Sequence, residues 1–309
     1  CTTAQLTLCN GRVCLGPSQY SGNCVKHFVE NTHKGVLGKI IPYVPTEIMD
    51  VLVNLTVKGK LPFYKQQHEV IATANRLAFN ISRLNKLNAI ISPSHLMTRQ
   101  LLAYGLKKEL IIQSAFGIDV PMADCPRTEP NLPLKIGFIG TIGKHKGCHV
   151  LIKAVQSLPK EQVNLAIYGN DTDFPDYATQ LKQLAQPSDN IEFRGTFPNT
   201  QISEIFAGMD VLVVPSLWYE NTPLVVYSAQ AARCPVIASD FEGFADVITH
   251  EDNGLLFESG NVSALSELLS RLIQSPELLK RLSDKARLPK STVTYVNELL
   301  NIWEQHKKA

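Results

Sequence analysis

Two loops of this chain hold the residue types that can do chemistry. The segment 210–240, DVLVVPSLWYENTPLVVYSAQAARCPVIASD, sets Trp218, Tyr219, Glu220 and Asn221 between an apolar run at 211–214, closed by Pro215 and Ser216, and a second run at 235–238. That is the pattern of a β-loop-α-β unit. Pro223 suits the first turn of a helix, so Glu220 and the unpaired backbone N–H groups after it converge on a positive helix N-terminus, a place for an anion. Earlier in the chain, Phe138, Ile139 and Gly140 end another apolar run, and the string GTIGKHKG, residues 140–147, leads into a helix. Glycines let backbone amides approach an oxyanion closely, and a helix start adds positive potential, so phosphate is the natural guest of this turn. Lys146 supplies mobile charge there. Simpler roles stand beside these: tight βα turns need glycine with or without a ligand, and Glu220 can cap the helix near Pro223.

A third constellation lies near the start, where Cys1, Cys9, Cys14 and Cys24 make up four of the seven cysteines. The spacing Cys9-x4-Cys14-x9-Cys24-x2-His27 offers three thiolates and an imidazole, a set that can surround a structural tetrahedral zinc. The same residues can be free buried thiols, or a disulfide in an oxidising compartment. Cys125, Cys148 and Cys234 are scattered and suggest no framework.

The elements that must position these residues follow from length and pattern. A chain of 309 residues, 44% hydrophobic and 19% charged, is long enough for two domains and apolar enough to bury their cores. A net charge of +2, with no lysine-arginine stripe interleaved with aromatics, disfavours nucleic acid as a partner. No apolar run approaches the roughly 20 residues of a membrane span. Within 33–65, punctuated by Pro and Gly, Ile48, Met49, Val51, Leu52, Val53, Leu55 and Val57 form an apolar patch. It reads as a helix at a membrane or acceptor surface, or as a buried core helix; the absence of a basic polar face favours the second. A helix at 76–86, a strand at 89–91, a helix at 97–104 ended by Gly105, and a strand at 110–112 follow. Four prolines between 120 and 133 and no apolar period mark a linker. Strands expected at 135–140, 164–169, 191–195, 211–215, 235–239 and 254–257 then alternate with helical segments. That rhythm predicts a parallel sheet covered on both faces, a Rossmann-like domain with its ligand at the carboxyl ends of the strands.

The string PSLWYENTPLVV resembles the donor-sugar loop of family 4 glycosyltransferases, retaining enzymes of the two-domain GT-B fold that take sugar from a nucleotide-diphosphate sugar. The resemblance implies an α/β chain of two Rossmann-like domains facing a central cleft. The acceptor-side domain would occupy 1–120 and be incomplete at its start by about 100 residues, with a linker at 121–133. The nucleotide-sugar domain would occupy 134–285, and a C-terminal helix, 286–309, would cross back to the first domain. Trp303 suits that docking, or else caps the second core. Phe116, Gly117, Ile118 and Asp119 resemble the turn that ends the acceptor domain.

In the relatives a glutamate at the position of Glu220 contacts the donor sugar, and the lysine of the KG pair, here Lys146, grips the diphosphate; these two are the candidate catalytic residues. The implied donor-binding set is Gly140, Thr141, Gly143, Lys144, Gly195, Thr196, Phe197, Asn221, Thr222, Pro223, Leu224 and Ser228. Gly195, Thr196 and Phe197 resemble the segment whose backbone holds the base, although Phe197 suits a core position equally. Three departures stand out. Ser228 replaces the second glutamate of the E-x7-E pattern, which holds the ribose in relatives. Thr141 replaces an arginine often found after the first glycine, where Lys144 offers a substitute charge or is simply solvated. Arg233 and Cys234 stand where a glycine and a small residue are usual. The expected activity is a retaining, metal-independent transfer of a hexosyl group, from a UDP-sugar by base rate among relatives, to a glycan or glycolipid acceptor, as in polysaccharide biosynthesis. The alternative is a degenerate nucleotide-sugar-binding module without turnover. No cofactor is implied for catalysis, no nucleic acid is expected, and the expected location is cytoplasmic, either free or peripheral at the membrane surface.

Overall fold

The structure, a computed structural model, describes residues 14–33, 35–125, 127, 132–221 and 223–307. The chain divides into two compact units: unit 1 comprises Cys1–Ile90 and Arg99–Ile112, and unit 2 comprises Ile91–Thr98 and Gln113–Ala309.

In unit 1 the helices α1 (Gly22–Thr32), α2 (Val36–Ile40), α3 (Thr46–Val57) and α4 (Gln67–Leu84) surround a small core of Val25, Met49 and Val53, with Val29, Ile41, Val44, Val70 and Ala74 packed on it. One carboxylate organises the entry. Ser21 precedes α1 with φ 64° and makes no side-chain cap. Asp50 of α3 acts instead, its Oδ1 accepting from the amides of Gly22 at 2.7 Å and Tyr20 at 3.1 Å and from Ser18 Oγ at 2.7 Å. A negative group at a helix start is favourable, and Gly22 permits the approach, since a Cβ there would lie 2.6 Å from the Asp50 nitrogen. Helix α4 begins nine residues before the expected 76. Glu69 sits in its first turn, and Val70 and Ala74 are held by the core, which extends a helix that local pattern alone leaves open.

The expectation of a buried core helix over 48–57 needs correction. Met49, Val53 and Thr56 of α3 are buried, but Ile48, Val51, Leu52 and Val57 are 40–56% exposed. At 100° per residue the apolar arc of α3 spans well over half the helix, wider than the single stripe that α1 and α4 cover.

The chain passes from one unit to the other three times, within the short strand β1 (Ile90–Ser92), within α5 (His95–Ala103) and within the short strand β2 (Ile111–Gln113). Unit 2 is a six-stranded parallel sheet in the order β5-β4-β3-β6-β7-β8. Its strands are β3 (Leu134–Ile139), β4 (Val163–Tyr168), β5 (Ile191–Gly195), β6 (Val211–Val214), β7 (Val236–Ser239) and β8 (Leu255–Phe257), each within one residue of expectation at either end. Side chains alternate between two cores, as a period of two requires. Val211 and Val213 of β6 join a cluster supplied by α6 (Cys148–Gln156), α7 (Pro175–Ala185), α11 (Val262–Gln274) and α12 (Pro276–Asp284). Leu212 and Val214 join another, built on α8 (Ile202–Ala207), α9 (Leu224–Ala231) and α10 (Glu242–Ala245).

From β3 the chain runs outward through β4 to β5, then returns to β6 on the other side of β3 and runs outward again. The order therefore reverses between β3 and β6, and the crevice at their carboxyl ends is where such sheets bind ligands. The expected linker is anchored to unit 2 at its described residue Arg127, whose guanidinium donates to the carbonyls of Phe206, Met209 and Ala232. Helix α13 (Thr292–His306) closes the chain, with Ser291 as N-cap. Trp303 does not cap the second core: it is 60% exposed, with Lys307 over its ring.

Candidate functional site

The loops after β3 and β6 meet at this crevice. Gly147, the N-cap of α6, has φ 70°, and a Cβ on it would lie 1.9 Å from the Pro215 carbonyl oxygen, so only glycine allows the two loops to close to this distance. The Leu217 amide donates to the His145 carbonyl at 2.8 Å and stitches them together. On the far side Gly243 of α10 lies flush against the main chain of Glu220, where a Cβ would sit 1.5 Å from the carbonyl oxygen.

This frame brings Lys146 and Glu220 together across 74 residues of sequence. Lys146 Nζ donates to Glu220 Oε1 at 2.6 Å. Two further donors reach the same oxygen, Ser216 Oγ at 2.8 Å and Trp218 Nε1 at 2.8 Å. Glu220 is buried, and a buried charge is tolerable when paired and hydrogen-bonded as here. Lys146 Nζ also lies 5.0 Å from the centre of the Trp218 ring, whose other neighbour is His145 at 4.4 Å. Burial, aided by the charge of Lys146, holds the His145 imidazole below its ordinary pKa. The neutral ring thus packs beside the cation without adding charge.

Asn221 is fixed from another direction. Ser94, buried and preceding α5, donates to Asn221 Oδ1 at 2.6 Å and accepts from the Met97 amide at 3.1 Å. Pro223 stands at the N-cap of α9, one place before the expected first turn, and Leu224 is half exposed. Thr222 lies outside the described residues.

Gly140 and Gly143 form the turn after β3, with Thr141 and Lys144 exposed. Among the described residues Lys144 makes no ion pair. Gly195 has φ 67° and ends β5 beside an exposed Thr196, two strands away from β3. The ring of Phe197 packs edge-on to Tyr168 at 5.4 Å as part of the second core. The Ser228 hydroxyl donates back to the Leu224 carbonyl at 3.2 Å, one turn earlier in α9. Arg233 ends α9 with φ 49°, the left-handed position usually given to glycine, and its Nε donates to the Ala123 carbonyl at 3.0 Å.

Of the cysteine-histidine set, Cys14, Cys24 and His27 lie among the described residues. Cys9 lies outside the described residues, and among those described no group of three His, Cys, Asp or Glu side chains is placed to hold a metal. Cys14 Sγ instead donates to the Gly16 carbonyl, and burial, with the neighbouring Cys14, raises the pKa of the Cys24 thiol. These are features of free thiols.

Sequence reasoning missed Ser216, Trp218, His145, Gly243 and Ser94 as parts of the site. Trp218 and His145 lie in the two loops already singled out, and chemistry in the intervening residues was the available signal. Ser94 and Gly243 come from distant stretches, and nothing local points to them.

Chemically, the arrangement is a glycine-containing turn at a helix start, a kind of site that suits an anion, with a lysine and a carboxylate at its edge. The protein YtcC of Bacillus subtilis (strain 168) is 32% identical over 158 residues, covering 48% of this chain and 39% of that one. A D-inositol 3-phosphate glycosyltransferase of Corynebacterium glutamicum (strain R) is 28% identical over 170 residues, covering 52% and 40%. The chain thus spans about two fifths of the length of these curated relatives. Among solved structures, Anabaena HepE in complex with UDP-glucose aligns at a TM-score of 0.65 and 20% identity, covering 75% of this chain and 68% of that one. The likeness establishes an α/β fold of the GT-B type. Residues 127–288, more than half of the chain, match the family model described as glycosyl transferases group 1, and the chain belongs to that family.

Proposed function

We propose that the chain is the donor-binding part of a retaining glycosyltransferase that takes a hexosyl group from a nucleotide-diphosphate sugar, UDP-sugar foremost. The observation that carries this reading is the meeting of Lys146 and Glu220 at the β3–β6 crevice, beside the starts of α6 and α9. The diphosphate sits against the amides of these helix starts and takes Lys146 as its counter-charge. The sugar lies toward Glu220, which binds its hydroxyls. As the glycosyl bond breaks, negative charge grows on the leaving phosphate, and Lys146 with the helix amides stabilises it without needing a divalent metal. HepE, crystallised with UDP-glucose, supports UDP as the nucleotide.

The acceptor is a glycan or glycolipid. The exposed Ile48, Val51 and Leu52 of α3, together with the exposed Lys58 and Lys60 that follow it, support peripheral attachment at an anionic membrane. Among the described residues no single helix is long and apolar enough to cross one. Sedimentation with anionic vesicles tests this, and no binding above that to neutral vesicles rejects it.

UDP at ~100 times its dissociation constant should add about 2.7 kcal/mol of stability, read as a rise in melting temperature. Lys146→Ala should weaken UDP roughly tenfold or more while leaving uridine unchanged, because a hydrogen bond between charged groups is worth about 1.5–3 kcal/mol. No shift with UDP, GDP or ADP rejects the reading. One observation favours a second reading, a binding module without turnover: the Ser228 hydroxyl spends its donor on the Leu224 carbonyl, leaving a ribose only its lone pairs where a glutamate would offer two carboxylate oxygens. Sugar transfer or donor hydrolysis that disappears in Lys146→Ala excludes that module.

A further inference from the structure

Among the described residues, the three side-chain donors that reach the Glu220 carboxylate meet at one oxygen. Lys146 Nζ, Ser216 Oγ and Trp218 Nε1 lie 2.6, 2.8 and 2.8 Å from Oε1, and among the described residues none donates to Oε2. Trp218 is the member that touches the other parts. Its N–H bonds Glu220, one ring neighbour is the Lys146 ammonium at 5.0 Å, and another is the His145 imidazole at 4.4 Å, itself backed by Phe174 at 6.0 Å. An indole N–H can only donate, and a ring wedged between two loops cannot turn its donor elsewhere as a hydroxyl can.

We propose that Trp218 is a positioning residue for the sugar end of the donor: it pins the Glu220 carboxylate by Oε1 and so presents Oε2 to the sugar hydroxyls. This rests on the nucleotide-sugar reading and adds a division of labour to it. The indole N–H acts on the sugar through Glu220, whereas the ring face acts on the diphosphate through Lys146. A carboxylate free to rotate would have to be ordered when the sugar binds, and a carboxylate already pinned avoids that cost.

The two contributions separate in Trp218→Phe, which keeps a ring beside Lys146 and removes the N–H. Calorimetric titration of the wild-type chain with UDP, UDP-glucose, UDP-galactose and UDP-N-acetylglucosamine identifies the UDP-sugar that binds best. In Trp218→Phe, UDP affinity should stay within about twofold of wild type while that UDP-sugar weakens about fivefold or more, the effect of one charged hydrogen bond discounted for the two that remain. Ser216→Ala removes another donor from the same oxygen and should give the same split, so the answer survives if Trp218→Phe fails to fold. Melting curves of both variants separate loss of fold from loss of positioning. If UDP and UDP-sugar weaken in equal ratio, or neither changes, the positioning role is overturned while the nucleotide-sugar reading stands. A wild-type chain that binds none of the four ligands, nor GDP or ADP, overturns the nucleotide-sugar reading itself.

Discussion

Units 1 and 2 use similar apolar material to different ends. In unit 2 the run Val211–Val214 is buried throughout, because helices cover both faces of the sheet and alternate side chains enter alternate cores. In unit 1 helix α3 is rich in Ile, Val and Leu, yet Val53 is 1% exposed and Val51 is 56% exposed. Apolar content therefore says what a segment can bury. How many of its faces the topology covers decides what it does bury.

The comparison can be broken most sharply in unit 2. Phe206, fully buried on the α8–α10 side of the sheet, should cost about 3–5 kcal/mol when replaced by alanine, read from urea unfolding. A loss below 1 kcal/mol would mean that this face collapses around the cavity and is not sealed. Unit 1 depends more on polar organisation. Asp50→Ala, which removes the acceptor of two amides and a hydroxyl at the start of α1, should cost about 1–3 kcal/mol by the same measurement.

Acid should weaken both units in the same direction. His27 in unit 1 and His145 and His149 in unit 2 are all held below the ordinary imidazole pKa, chiefly by burial. The unfolded chain therefore takes up protons first as pH falls. Stability is fully present above the unfolded value of about 6.5 and declines below it, levelling once the folded histidines also titrate. Melting temperature followed from about pH 7.5 to 5.5 should fall, and less steeply in His145→Gln. A flat profile would contradict burial of these rings. The smallest effect belongs to the exposed side of α3, where Val51→Ser should change stability by no more than about 0.5 kcal/mol. A larger loss would show that something covers this face.

Much of unit 2 was legible in the sequence because a strand buried on both faces writes itself as an unbroken run of Val, Ile and Leu bounded by Gly or Pro. The six runs gave six strands, and the two loops that carry Lys146 and Glu220 were legible as loops. Their meeting through one carboxylate oxygen was not, since no spacing rule brings residues 146, 216, 218 and 220 to a point; strand order does. Unit 1 was less legible. The clamp of Asp50 on Gly22 is a contact between helices and has no periodicity, and the wide apolar arc of α3 reads alike whether one face is covered or two. At Ser228 resemblance could name a position but not what its hydroxyl would bond, which is the Leu224 carbonyl of its own helix.

The ion pair of Lys146 and Glu220 has a consequence for how fast a ligand arrives. With the two charges cancelling at 2.6 Å, this pair contributes little field at a distance, so an approaching diphosphate would be steered by the exposed Lys144 rather than by Lys146. In Lys144→Ala the on-rate of UDP should then vary little with salt, and at contact the phosphate of the proposed donor would compete with the Glu220 carboxylate for the Lys146 ammonium. Glu220→Gln removes the competitor and leaves an uncompensated cation. UDP without its sugar should bind that variant more tightly than wild type and lose the gain as salt is added, even while the variant handles the intact donor worse.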